Sequence, residues 1–152
     1  MMNLTALATE INSDPLGLGY AAYLPDAPGE VCELINGETL TAHQSRMISW
    51  RGLYSSYGLG RALAASVLAK IRAAADQDQA MYDVKMMIYT TEGMDIGDPE
   101  ALEMIDDLQS SGLFTPQEAD ALKRLSLRPI SRAKQLFGMA VTIDNLREAG
   151  VI

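Results

Sequence analysis

Apolar residues along this chain recur mostly at spacings of three and four, the period of a helix with one buried face. Leu4, Leu7, Ala8 and Ile11 make the first such stripe and predict a helix over about 4–12, with Asn3 or Thr5 near its start. Asp14-Pro15 ends it, because proline has no N–H for the helical ladder and pushes the residue before it out of helical backbone space. A short helix is expected around 30–35, closed by Asn36-Gly37. Thr41 and Gln44 stand at capping-box spacing and predict a helix from Thr41, striped by Met47, Trp50, Tyr54 and Tyr57 and interrupted at Gly58-Leu59-Gly60. The strongest helix follows over 61–75. Leu59, Leu63, Val67 and Ile71 form its large ridge, and Ala62, Ala65, Ala69 and Ala73 form a small-residue strip open to close approach by another helix.

Beyond it, Met81, Val84, Met87 and Ile88 predict an inward face on a helix over 79–91. The remaining helices are announced by caps. Asp98 with Pro99 at the first position opens a helix whose buried stripe is Leu102, Ile105 and Leu108 and whose stop is Gly112. Thr115-Pro116 repeats that grammar, as do Ser131 to Gly138 and Thr142 to Gly150. No alternating pattern of useful length predicts a strand, and no internal repeat stands out. The expectation is an all-α fold: one compact domain over 1–152, a multi-helix bundle of about seven short helices.

Composition changes this picture little. Aromatics are 6% of the chain, so Leu, Ile, Ala and Met must build the core. Cys32 is the only cysteine, which excludes an intrachain disulfide and a Cys-rich zinc site. The first ten residues carry no basic segment and the longest apolar run, ALAASVLAKI, is well short of the roughly 18 residues of a membrane span, so neither a signal peptide nor a membrane partner is expected. Charge is uneven: the net −8 divides into −1 over residues 1–75, −11 over 76–122 and +4 over 123–152. An acidic middle beside a basic tail argues against broad nucleic-acid binding and suits complementary pairing within the chain or between copies.

Candidate chemistry is sparse. SDPLGLGY has the glycines of a phosphate loop, but no strand precedes them, no helix follows at once, and no Gly-Lys-Ser/Thr ending is present. It reads instead as a structural elbow of Asp14, Pro15, Gly17, Gly19 and Tyr20, with Leu16 and Tyr20 pinning it to the core. His43, the only histidine, stands in the first turn of a predicted helix, away in sequence from Cys32, and reads as a surface residue. The carboxylates Glu92, Asp95, Asp98, Glu100, Asp106 and Asp107 lack the spacing of a calcium loop and read as solvated helix starts. No catalytic residue, metal site or cofactor is expected. Two groups could face a partner: the basic Arg128, Arg132 and Lys134, and the aromatic Trp50 and Tyr54. Met86-Met87, with Met81, Met94 and Met104, is either core or an adaptable contact surface.

Two segments carry a resemblance. EINSDPLGLGYA near the start, and DIGDPEALEMIDDLQSSGLFTPQEADALKRLSLRPISRAKQLFG followed by VTIDNLREAG, resemble a family of small proteins encoded by tailed bacteriophages and prophages among or near their virion structural genes. The likeness covers about residues 4–24 and 94–149, and the ending EAGVI stands where relatives often have a longer alanine-rich helix. The resemblance implies a non-enzymatic structural or accessory protein of the virion, in the tail, the neck or on the capsid. It would be made in the bacterial host cytoplasm, be present in multiple copies or as a homo-oligomer, and have other virion proteins as partners. The alternatives are a phage regulatory DNA-binding protein using the basic C-terminal helices, and a lysis-related hydrolase using acids near Asp95.

Overall fold

A computed structural model describes residues 1–55 and 59–152. Within them the chain is mostly helical and not purely all-α: nine helices and one 3-10 turn are accompanied by four short strands. β1 (Leu40–His43) pairs with β4 (Leu127–Ile130), and β2 (Met47–Ile48) pairs antiparallel with β3 (Met94–Asp95), Met47 opposite Asp95 and Ile48 opposite Met94. Contacts divide the chain into two compact units, Met1–Thr41 with Pro129–Ile152, and Ala42–Arg128. Chain length alone does not anticipate this division.

The first unit is discontinuous. It contains α1 (Leu4–Ser13), the 3-10 turn Tyr20–Ala22, α2 (Pro28–Asn36), α8 (Arg132–Phe137) and α9 (Ile143–Glu148). Asn3 caps α1 by accepting from the Ala6 N–H, and Ser131 and Thr142 cap α8 and α9 in the same way. Leu7, Ile11, Tyr20, Val31, Ile35, Ala133, Val141 and Leu146 form its core. A side chain does the work of a strand here: Asn36 donates to the Val141 carbonyl and accepts from the Val141 N–H, both at 2.8 Å, so the segment leading into α9 is held against the end of α2.

The second unit contains two helix pairs, α4 (Arg61–Ala75) with α5 (Gln79–Ile88) and α6 (Pro99–Ser110) with α7 (Pro116–Arg124), together with α3 (Trp50–Ser55) and the β2·β3 ribbon. Asp98 and Thr115 take the predicted cap positions, and Thr115 forms a full capping box with Glu118. The core runs from Ile48 and Leu53 through Val67, Leu68 and Ile71 of α4 to Ile105, Phe114 and Leu122.

Several expectations are corrected. No helix starts at Thr41: residues 40–43 are strand β1, and the helix begins only at Trp50. The backbone of 44–46 finds its partners elsewhere, Gln44 N–H on the Ser126 carbonyl and Arg46 N–H on the Asp95 carboxylate, which removes the reason to coil. Met47 therefore leaves the aromatic stripe and stands half-exposed on β2, and Tyr57 and Gly58 lie outside the described residues. On α4 the buried small residues are Ala64 and Ala75, whereas Ala62, Ala65, Ala69 and Ala73 face solvent. α5 ends at Ile88, and Met87 is exposed.

Candidate interaction surfaces and polar clusters

The elbow of the first unit is built around one carboxylate. Asp14 has left-handed backbone at the end of α1, and its side chain accepts the N–H groups of Leu18 at 2.8 Å and Gly19 at 2.7 Å. Gly17 and Gly19 take φ of +65° and +89°, a region that L side chains avoid. The N–H groups of Gly17, Leu18 and Gly19 are thus consumed within the loop and are not free to cradle a phosphate. Tyr20 is fully buried, but Leu16, expected to pin the elbow, is 46% exposed, and the half-buried Leu18 packs on the core in its place. The Tyr20 hydroxyl has no hydrogen-bond partner among the described residues. Burial first, then the charges of Glu10 and Asp14, raise its pKa and keep the phenol neutral.

The basic tail is largely committed. Arg132 was an expected surface group. It is instead mostly buried and holds Glu10 through two parallel bonds, Nε to Oε1 at 2.7 Å and Nη2 to Oε2 at 2.8 Å, with Nη1 on Gln135. That bond to Glu10 is the main cause of the raised Arg132 pKa. Lys123 pairs with Asp106, Arg124 with Asp120 and Arg147 with Asp144. Arg128 and Lys134 are exposed. Strand β4 stands between α7 and α8, which removes the tight turn of a helix-turn-helix.

In the second unit Trp50 and Tyr54 are half-buried in an aromatic cluster. Trp50 stacks on Tyr89 with centroids 5.9 Å apart and meets Tyr54 edge-on at 6.3 Å. Arg51 lies over Trp50 and Arg72 over Tyr89, and Arg72 Nε donates to the Tyr89 hydroxyl at 2.6 Å. These contacts run among α3, α4 and the residue that follows α5, so the half-buried cluster ties those three elements together.

The acids are equally engaged. Asp95 accepts the Ser45 hydroxyl and the N–H groups of Arg46 and Gly97; the Ser45 bond leads the effects that lower its pKa. Such a carboxylate organises a loop and is poorly placed to accept a catalytic proton. Glu118 is buried and accepts from Lys70 Nζ, Ser66 Oγ and the Thr115 N–H at 2.6, 2.6 and 2.7 Å. Burial pushes its pKa up, but these bonds outweigh it and hold the group at about 2. His43 Nδ1 lies 2.8 Å from Ser126 Oγ, whose hydroxyl also bonds the Lys123 carbonyl. That is a partner for the ring on strand β1, not a charge relay. Among the described residues no cluster of three or more His, Cys, Asp or Glu is placed to hold a metal ion, and no helix is long and apolar enough to cross a membrane. A fully apolar cavity of about 40 Å³ in the second unit is a packing void on the scale of a water molecule.

Sequence reasoning missed Glu10 and Asn36, both polar residues on helices whose partners lie more than a hundred positions away. It also left open the division of the methionines. Met81 is buried and Met94 and Met104 pack against the core, whereas Met86 and Met87 stand out on α5 at 53% and 45% exposure. No known family model matches the chain, and no curated protein or solved structure is significantly similar to it.

Proposed function

We propose that this chain is a non-enzymatic structural or accessory component of a tailed-bacteriophage particle that acts through repeated protein contacts. The observation that carries the reading is the distribution of exposed apolar side chains. They include a short stretch in each unit, Tyr82, Met86 and Met87 on α5, and Leu136, Met139 and Ile143 from α8 through the connecting segment to the start of α9, while the acids and bases that could have done chemistry serve caps and ion pairs. The phage setting comes from the resemblance of the Asp14–Tyr20 and Ser131–Gly138 segments. The DNA-binding alternative would rely on Arg128 and Lys134, since Arg132 is taken up by Glu10.

The test is mass spectrometry of purified, nuclease-treated particles of the phage that encodes the chain, with copy number measured against the major capsid protein. A fixed stoichiometry is expected, and its value separates a tail or neck ring from a capsid-wide coat. Absence from both mature particles and their assembly intermediates overturns the reading.

A further inference from the structure

We propose that Asn36-Gly37 is a deamidation site that the fold keeps closed, and that its conversion releases α9 and the segment leading into it from α2 in one direction only. An asparagine followed by glycine is especially prone to this chemistry, because glycine has no side chain to shield its backbone nitrogen. The Gly37 nitrogen attacks Asn36 Cγ, the Cγ–Nδ2 bond breaks, and the Gly37 N–H proton leaves with the amide nitrogen as ammonia. The cyclic imide then takes up one water at either of its carbonyls and opens to aspartate or isoaspartate. In sum an amide and a water become a carboxylate and an ammonium ion, and water is the only co-reactant.

In the folded chain the attack is blocked at its first step. Asn36 is the last residue of α2; its Nδ2 donates to the Val141 carbonyl and its Oδ1 accepts the Val141 N–H, both at 2.8 Å. Bringing Cγ onto the Gly37 nitrogen requires the side chain to give up both bonds and the Asn36 backbone to leave helical space. Packing holds the clasp shut, since Ile35, Val141 and Leu146 are buried in one core. Gly37 is tied as well, its carbonyl accepting the Thr39 N–H at 2.9 Å. Reaction therefore waits for the end of α2 and the segment before α9 to part, a local opening smaller than unfolding of the unit. Once converted, the clasp cannot be remade. The Val141 N–H keeps an acceptor, but an ionised carboxylate donates nothing, so the Val141 carbonyl loses its partner and faces a negative charge at a half-buried position. Isoaspartate also lengthens the main chain by a methylene at the end of α2, which moves Gly37 out of place.

The chemistry is the same whatever the chain assembles with. The test is a time course of the full chain at mildly alkaline pH, in buffer and in denaturing urea, with residue 36 read as amide or acid by peptide mass spectrometry. Conversion in buffer should be at least about tenfold slower than in urea. Thr142→Ala removes the hydroxyl that caps α9 beside Val141 and leaves Asn36 and Gly37 in place; it should raise the rate in buffer about fivefold and leave the rate in urea unchanged. Thr142→Ser keeps a capping hydroxyl and should keep the slow rate. The converted chain carries one more negative charge, so anion exchange separates it, and it should melt below the parent, as should Asn36→Asp. No conversion in urea overturns the site. Equal rates in buffer and urea, or a Thr142→Ala rate in buffer no faster than the parent's, overturns its protection by the clasp. A converted chain that melts with the parent overturns the release.

Discussion

The two units solve one local problem in opposite ways. Each contains a loop organised by an aspartate that collects backbone N–H groups: Asp14 in the first unit, Asp95 in the second. Asp14 binds amides four and five residues ahead, so its loop closes on itself. Asp95 binds Ser45 and Arg46, about fifty residues back, so its loop closes on another part of the chain. The glycines divide accordingly. Gly17 and Gly19 have positive φ and open space where a Cβ would sit. Gly97 has an ordinary φ, but a Cβ there would overlap the Gln44 carbonyl; Gly93 meets both demands, with φ of +84° and a Cβ position that would overlap the Ile48 carbonyl. Glycine supplies only a backbone conformation at Gly17 and Gly19 and only an empty volume at Gly97, and a sequence does not distinguish the two.

The sharpest way to break this comparison is Gly97→Ala. A methyl group directed at backbone that is itself hydrogen-bonded cannot be absorbed by a rotamer change, so the 93–97 segment must leave 44–49 and release the Asp95 bonds. A loss of about 3 kcal/mol or more is expected. Trp50 is the only tryptophan and lies in the second unit, so denaturant unfolding followed by its fluorescence reads this loss where it arises. A Gly97→Ala chain as stable as the parent would mean that the close approach is dispensable.

The buried carboxylates sharpen the comparison next. Glu10 in the first unit is held by the fork of Arg132, whereas Glu118 in the second gathers a lysine, a hydroxyl and a backbone amide. Glu118 titrates at about 2 in the folded chain against an ordinary 4.5. A depressed folded pKa contributes stability that is complete above about pH 5 and is lost as pH falls toward 2. In Glu118→Gln the second unit should be weaker near neutral pH by on the order of 2 kcal/mol. The difference from the parent should shrink as the pH drops through that window, as read by urea unfolding with Trp50 fluorescence at each pH. A difference that stays constant from pH 7 to about 2.5 would show that Glu118 acts through packing and not through its charge.

What could be read in advance follows from range. The caps at Asp98, Thr115, Ser131 and Thr142 act over two or three residues, so their signals lie in the local string and the helices start where those residues stand. Thr41 and Gln44 show the same local spacing and start no helix, because distant groups satisfy the backbone there and nothing nearby in sequence records it. Strands of two to four residues are too short for an alternating pattern to register. Glu10 looks like a solvent residue until Arg132 arrives from 122 positions away. The alanines of α4 are neutral toward burial, so periodicity placed a strip of them on the wrong side. The candidate surfaces suffered similarly: exposure of Met86 and burial of Arg132 are decided by which helices neighbour them, and sequence order does not state that.

The mildest test isolates conformation from space. Gly19→Ala puts a methyl group into open surroundings at φ of +89°, so the whole expected penalty is the backbone one, about 1 kcal/mol. Asparagine tolerates left-handed backbone better than alanine, so Gly19→Asn should recover part of that loss although its side chain is larger. The first unit has no tryptophan, so the measurement is thermal unfolding followed by far-UV circular dichroism. A ranking with Gly19→Asn below Gly19→Ala would reveal a steric demand at the elbow, and Asp14 and Asp95 would then organise their loops under the same constraint. The expected ranking, alanine worse than asparagine at Gly19 and alanine far worse at Gly97 than at Gly19, requires that the two glycines answer different physical needs.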